Sequence, residues 1–394
     1  MGWMRSSRLR KDDPGSFVRH FATLEDPRVE GRCKHPLVTV IVMALAAVVA
    51  GCNGWEAIAD FCEDREDWFA QFLEMPNGVP NATTFYRVFR ALRPDPFFAC
   101  VAAWVQTLAQ PLDGQVVAFD GKTVRGALAR SPLGAALHAV HVWACDQKLL
   151  LAQTYVPGAP EEVPAVRDLL ELLDLKGALL TGDAAHCARE TAQAILDTEA
   201  DYLLQLKANR RAAYDAAQTF FDAARITGFS DVSVRHNRVV ERGHGRIEVR
   251  EAWSVSASAC PLPGADWPGL KSITMIERTR VEGDLELSRE RHYYLSSLPP
   301  NVRRIAAGAR AHWGVENGLH WVLDVQMGED RCAVGDANAA ANLGSLRRLG
   351  IMLARRETTF KRGTRDKGVA AKQAKAHRSI VYHEKLLTAG IAED

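Results

Sequence analysis

The chain of 394 residues has no C-x-x-C pair, no apolar run long enough to cross a bilayer and no excess of charge of either sign. Its eight cysteines are scattered singly, which excludes a disulfide-stapled secreted framework and predicts reduced thiols in a cytoplasmic protein. The longest uncharged apolar stretch, residues 37–51, falls short of the roughly 18 to 20 residues of a spanning helix, so it predicts a buried core helix and no membrane partner. The opening residues set Arg5, Arg8, Arg10 and Lys11 against Asp12 and Asp13, without the apolar core of a signal peptide. With 47% hydrophobic and 25% charged residues the composition excludes a disordered or collagenous chain. A net charge of +1 means that any polyanionic partner must be met by local charge.

Apolar residues recur at helical spacing across residues 17–111, with breaks at Pro27, Pro36, Gly54, Pro76, Gly78, Pro94 and Pro96. This predicts an N-terminal helical domain over 1–110. Its acidic stretch from Glu56 to Glu74 should avoid a phosphate backbone. Residues 81–92, with Thr83 and Thr84 as N-caps, form a packed helix or, as the alternative, a recognition helix presenting Arg87 and Arg90.

Beyond Pro111 the period changes to 2. A strand at 116–120, a hairpin from 137–145 and 149–156, a helix at 161–173, a strand at 178–181, a helix at 188–196 and a strand at 202–206 predict a mixed five-stranded α/β layer over 111–210. Four further strand-like runs, separated by Gly243, Gly245 and Gly283, predict a β-rich insertion over 211–299. Helices resume near 302 and occupy 300–356. The remaining 357–394 reads as a poorly patterned basic tail; residues 355–378 carry a local charge of +7, which suits sequence-independent phosphate binding.

Asp120 and Asp183 each stand at the C-terminal end of a short strand, where open α/β sheets place their ligands. If the two strands are neighbours, the carboxylates converge and require a cation between them, and hard oxygen donors suit Mg²⁺ or Mn²⁺. The plainer readings are a turn dipeptide for Asp120-Gly121 and a helix N-cap for Asp183. For a third acid, Glu316 lies about a quarter turn from the apolar stripe Val315, Leu319 and Val322, with Asp324, Glu329 and Asp330 as competitors. His312, Glu316 and His320 recur every four residues, followed by Asp324, and offer the alternative of a Zn²⁺-dependent hydrolase. That set lacks the H-E-x-x-H order and leaves Asp120 and Asp183 unexplained. His138 and His141 differ by an odd offset and face opposite sides of a strand, and His186 and Cys187 are chain neighbours, so core or surface roles suffice for all four.

The stretches VVAFDGKTVRG (116–126), LLTGDAAH (179–186), YLLQLKAN (202–209), ERGHGRIEVR (241–250), HYYLSSL (292–298) and HWGVENGLHWVLDVQMGED (312–330) resemble, in this order, the DDE transposases of bacterial insertion sequences. The likeness is to the H-repeat-associated, ISAs-type branch and runs from about residue 14 to 356. It implies an RNase H-like catalytic core interrupted by a β-rich insertion and preceded by a helical domain. It further implies catalytic, metal-binding acids at Asp120, Asp183 and Glu316, Mg²⁺ as cofactor with Mn²⁺ as substitute, and a homodimer acting on the terminal repeats and target DNA in a synaptic complex. The chain departs from the wider pattern at His312, where an Arg is common, and at Leu323, where a Lys is expected. Lys122, Arg125, Lys207, Asn209 and Arg210 are placed to hold a DNA backbone, and His244, Arg246 and His312 are further candidates for DNA contact. The alternative is a decayed relative that binds or regulates at DNA without cutting it.

Overall fold

The computed structural model describes residues 17–124, 137–243, 246–263, 266–283, 285–315, 319–332 and 334–389. The chain forms two compact units: one of residues 1–111, 121–165 and 316–394, the other of residues 112–120 and 166–315. These units cut the chain differently from the boundaries read at 110, 210, 299 and 356.

The first unit gathers the N-terminal helices around two buried rods. The earlier is α1 (Leu37–Val49), whose apolar residues surround its axis and are covered on every side. The later is α2 (Ala337–Arg356), buried continuously from Ala339 to Ala354. Its polar residues have partners: Asn342 Nδ2 donates to the carbonyls of Phe89 and Leu92 (2.9 and 2.8 Å), capping α3 (Ala82–Ala91), and Ser345 meets the Gln153 amide. The N-cap of α3 is Asn81, which accepts from the Thr84 amide, in place of the threonines read from sequence. Its apolar stripe of Phe85, Val88 and Phe89 is buried and Arg90 pairs with Asp336. The hairpin of β2 (Leu137–Ala144) and β3 (Leu149–Val156) also belongs to this unit.

The segment expected to be a poorly patterned tail is folded. A short ribbon, β10 (Lys361–Arg362) with β11 (Arg365–Asp366), leads into helices α4 (Val369–Arg378) and α5 (Ile380–Leu387). Lys372, 1% exposed, donates to the carbonyls of Ala354 and Glu357 and to Asp366. His383 meets the Ala46 carbonyl (2.8 Å), and Trp68 Nε1 donates to Glu384 (2.8 Å). These long-range partners, invisible in the local pattern, turn basic residues into core anchors.

In the second unit the strand order is β1 (Val116–Val124), β4 (Leu179–Gly182), β5 (Asp201–Leu206), β9 (Leu285–Ser296), β8 (Ser272–Glu282), β7 (Arg246–Ser256), β6 (Val234–Gly243), with only the first half of β1 belonging to it. β1, β4 and β5 are parallel, and the remaining pairs are antiparallel. The β-rich insertion therefore extends the sheet: β9 covers the edge that β5 would leave open. Helix α6 (Val302–Val315) packs Val302, Ile305 and Ala309 against Leu179, Leu203, Ile276 and Tyr294. Gly308 permits the close approach, since a Cβ there would stand 2.9 Å from Leu179 and 3.1 Å from Leu203. The second half of β1 lies in the first unit beside β2, which pairs on its other side with β3. The order β3-β2-β1-β4-β5 is the RNase H-like arrangement, within a mixed α/β fold of nine strands.

Candidate active site

β1 and β4 run parallel with Val116, Val117 and Ala118 opposite Leu179, Leu180 and Thr181. Continuing that register by two residues on each strand puts Asp120 opposite Asp183. Adjacent strands lie about 4.8 Å apart, so both carboxylates emerge side by side. Asp120 is 8% exposed, and β1 does not turn at Asp120-Gly121 but continues to Val124. Asp183 caps the short turn Ala184–His186, one oxygen accepting the Ala185 N–H at 2.8 Å, so it fills the N-cap role while standing at the strand end. Gly182 is needed before it because a Cβ would collide with the Phe119 ring, against which His186 packs edge-on at 4.9 Å.

Asn209 and Arg210, read from sequence as backbone contacts, hold the turn after Asp183. Asn209 Nδ2 donates to the Ala184 carbonyl at 2.6 Å and Arg210 Nε to that of Cys187 at 2.9 Å. Lys207, exposed, follows the end of β5. His312 on α6 is buried, with Nδ1 3.2 Å from Thr181 Oγ1 and Nε2 lacking a partner. Burial pushes its pKa down to about 4 against the pull of Asp183, so near neutral pH it carries no charge for a phosphate. Any DNA contact at His312, as expected from sequence, would therefore be made by a neutral ring. Burial likewise pushes the Cys187 thiol up to about 12.

In the first unit the second half of β1 leads to a different chemistry. Lys122, 8% exposed, lies 2.7 Å from Asp324, 3.2 Å from Asp330 and 3.6 Å from Glu329. Burial opposes its charge, but the three carboxylates outweigh it and hold the ammonium above its usual range. The expected backbone contact at Lys122 is thus replaced by an internal ion cluster. Glu329 also takes the Arg348 guanidinium at 3.0 Å, and Arg348 donates to Tyr155 Oη at 2.8 Å. All three acids that competed with Glu316 are therefore spoken for. Gly121 lies against His138 and Glu162, whose side chains meet at 2.8 Å and would collide with a Cβ there. Sequence reasoning missed this pair and Arg348, because no local pattern joins residues so far apart in the chain.

Of the stripe behind the zinc reading, His312 lies on α6 and Asp324 in a π-helix over Val322–Gln326, which takes Asp324 off the 3.6 period. His320 instead faces His141 at 3.3 Å, and Leu323 is fully buried. Glu316, Arg125 and His244 lie outside the described residues, and Arg246 opens β7. Among the described residues no three His, Cys, Asp or Glu side chains gather to hold an ion, and no helix is long and apolar enough to cross a membrane.

Comparison with known proteins adds to this geometry. Residues 111–351 match the transposase DDE domain, and residues 18–105 match the domain associated with it. The YncI protein of Escherichia coli O157:H7 is 31% identical over 376 residues, covering 94% of each chain. The H repeat-associated protein YhhI of E. coli K12 is 30% identical over 89% of this chain and 93% of its own. The inactive transposase YbfQ of the same strain is 32% identical over 18% of this chain and 86% of its own. A piggyBac transposase in a synaptic complex with hairpin DNA superposes over 98% of this chain and 81% of its own, with a TM-score of 0.41 and 12% identity. With the DDE domain spanning more than half of its length, the chain belongs to the DDE transposase family and carries that family's associated N-terminal domain.

Proposed function

We propose that this chain, in the bacterial cytoplasm, cuts DNA at the ends of an insertion sequence and joins the freed 3′ ends to target DNA. The observation that carries the reading is the parallel register of β1 with β4, which, continued by two residues, sets Asp120 within β1 opposite Asp183 just past the end of β4. Two acceptor-only groups so close repel unless a cation lies between them, and an all-oxygen pair fits a hard divalent ion. Asp120 and Asp183, with Glu316 as the third acid, would hold Mg²⁺ or Mn²⁺, which when bound polarises phosphoryl oxygens and lowers the pKa of an attacking water or 3′ hydroxyl.

The remaining work is positioning. Asn209 and Arg210 fix the turn that aims Asp183, and exposed Lys207 offers a charge to a backbone phosphate. Cleavage and strand transfer are each an in-line displacement at phosphorus, in which oxygen attacks and the opposite oxygen leaves. The Cys187 thiol near this turn, its pKa pushed up by burial, is not the attacking group. Duplex DNA, both terminal repeats and target, is the partner, held by a homodimer in a synaptic complex. Exposed Lys361, Arg362 and Arg365 on the C-terminal ribbon add sequence-independent affinity.

The test is incubation of purified protein with its own flanking inverted repeats and Mg²⁺, scored for nicking and joining. Both products are expected. Binding with neither product would favour a regulator that has lost the chemistry, a reading drawn from uncharged His312 and buried Leu323, the two positions at which the sequence departs from the wider pattern it resembles.

A further inference from the structure

The first unit contains a cavity of about 580 Å³ whose lining the chemistry above does not use. That volume lies in the range of small-ligand pockets. One wall is aromatic: Trp55 and Tyr86 lie 6.4 Å apart with their planes at 56°. Two arginines, Arg331 and Arg347, line it, and among the described residues no Asp or Glu does. Four polar atoms of its lining are buried without a hydrogen-bond partner: Trp55 Nε1 and Arg347 Nε as donors, Asn53 Oδ1 and Gln326 Oε1 as acceptors. Arg347 is 2% exposed and held in place by donating to the Asn53 carbonyl at 3.0 Å. Unmade buried hydrogen bonds cost stability, so four around one cavity mark a place where a ligand would supply the partners. Gln326 and Val325 come from the π-helix, an element concentrated at functional sites.

The ligand that meets all of these demands is planar, presents donors and acceptors on one edge and carries negative charge. We propose that the cavity takes a single unstacked nucleotide, its base against the Trp55 indole and its phosphate toward Arg331 and Arg347. The base edge answers Asn53 and Gln326, as adenine does with its paired donor and acceptor. The inference rests on the DNA-directed reading for its source, a nucleotide turned out of a strand. A free nucleotide has the same chemistry, and the experiment separates the two.

Full-length protein is alkylated with iodoacetamide, and labelling at Cys332, which lines the cavity, is followed by peptide mass mapping. The probes are a duplex with one extrahelical adenine, the same duplex fully paired, and dAMP. The bulged duplex should bind about ten-fold tighter than the paired one, as expected for one base gaining an aromatic stacking partner, and should slow labelling of Cys332. Trp55→Ala should erase that preference and leave paired-duplex affinity unchanged. Gln326→Leu, which leaves the aromatic packing alone, should do the same. Protection by dAMP and by neither duplex would assign the cavity to a free nucleotide. Equal affinity for the two duplexes with Cys332 unprotected by any probe overturns the proposal. Binding of the paired duplex reports separately whether the protein engages DNA at all.

Discussion

Arg348 and Glu329 form an ion pair of 3.0 Å between side chains exposing 0% and 1% of their surface, and Glu329 reaches Lys122 on its other side. Glu329 is therefore the keystone of a cluster that ties the segment after residue 319 to α2 and to β1. Removing one member of a buried pair leaves the other uncompensated, at a cost of roughly 3 to 5 kcal/mol. Glu329→Gln should lose about that much stability in urea unfolding, whereas Asp324→Asn, whose side chain is 35% exposed, should lose under about 1 kcal/mol. Similar losses for the two would mean that Glu329 does not organise the cluster.

Lys122→Met should destabilise the protein without changing the salt dependence of DNA binding, because its ammonium meets three carboxylates and no phosphate. Replacing Lys361, Arg362 and Arg365 together with Gln should do the reverse. Each lost phosphate contact flattens the slope of log affinity against log salt by about 0.9, and melting should be unaffected. A flatter slope in Lys122→Met would return that residue to the DNA surface.

What the sequence disclosed and withheld follows one rule. Patterns with a local period survived: the buried α1, the β2-β3 hairpin, the insertion strands, and Asp183 just past a strand end. Asp-Gly at 120–121 suggested a turn, yet β1 continues, because Gly121 is required by the His138 and Glu162 side chains packed against it. The stripe that runs from His312 to Asp324 assumed a 3.6 period that the π-helix breaks at Asp324. Lys122 read as a DNA-backbone contact and Lys372 as part of a basic tail because their carboxylate and carbonyl partners on other segments carry no local signature.

Ending the chain at Arg356 should lower the melting temperature markedly, not merely reduce DNA affinity. It removes buried Tyr382, Leu386 and Leu387, the Lys372 anchor and the partners of Trp68 and Ala46. An unchanged melt would mean that the C-terminal helices do not contribute to the core.

Acid should unfold the first unit through His383. Burial pushes its pKa down to about 3, and its Nδ1 has no partner to accept an added proton's bond. The unfolded chain takes up a proton near pH 6.5, so stability is complete above that pH and falls as pH drops toward 3, by about 1.4 kcal/mol per unit. His383→Gln keeps a donor for the Ala46 carbonyl without titrating, and should lose roughly 2 kcal/mol less than wild type between pH 6.5 and 5. Identical losses would place the acid sensitivity elsewhere.

The central claim is that Asp120 and Asp183 act as one metal-holding pair. Single-turnover cleavage of a terminal-repeat duplex, on complexes assembled before Mg²⁺ is added, measures it most directly. Asp120→Asn and Asp183→Asn should each bind the duplex as wild type does and yield no cleaved strand. Substantial cleavage by Asp183→Asn would contradict the account.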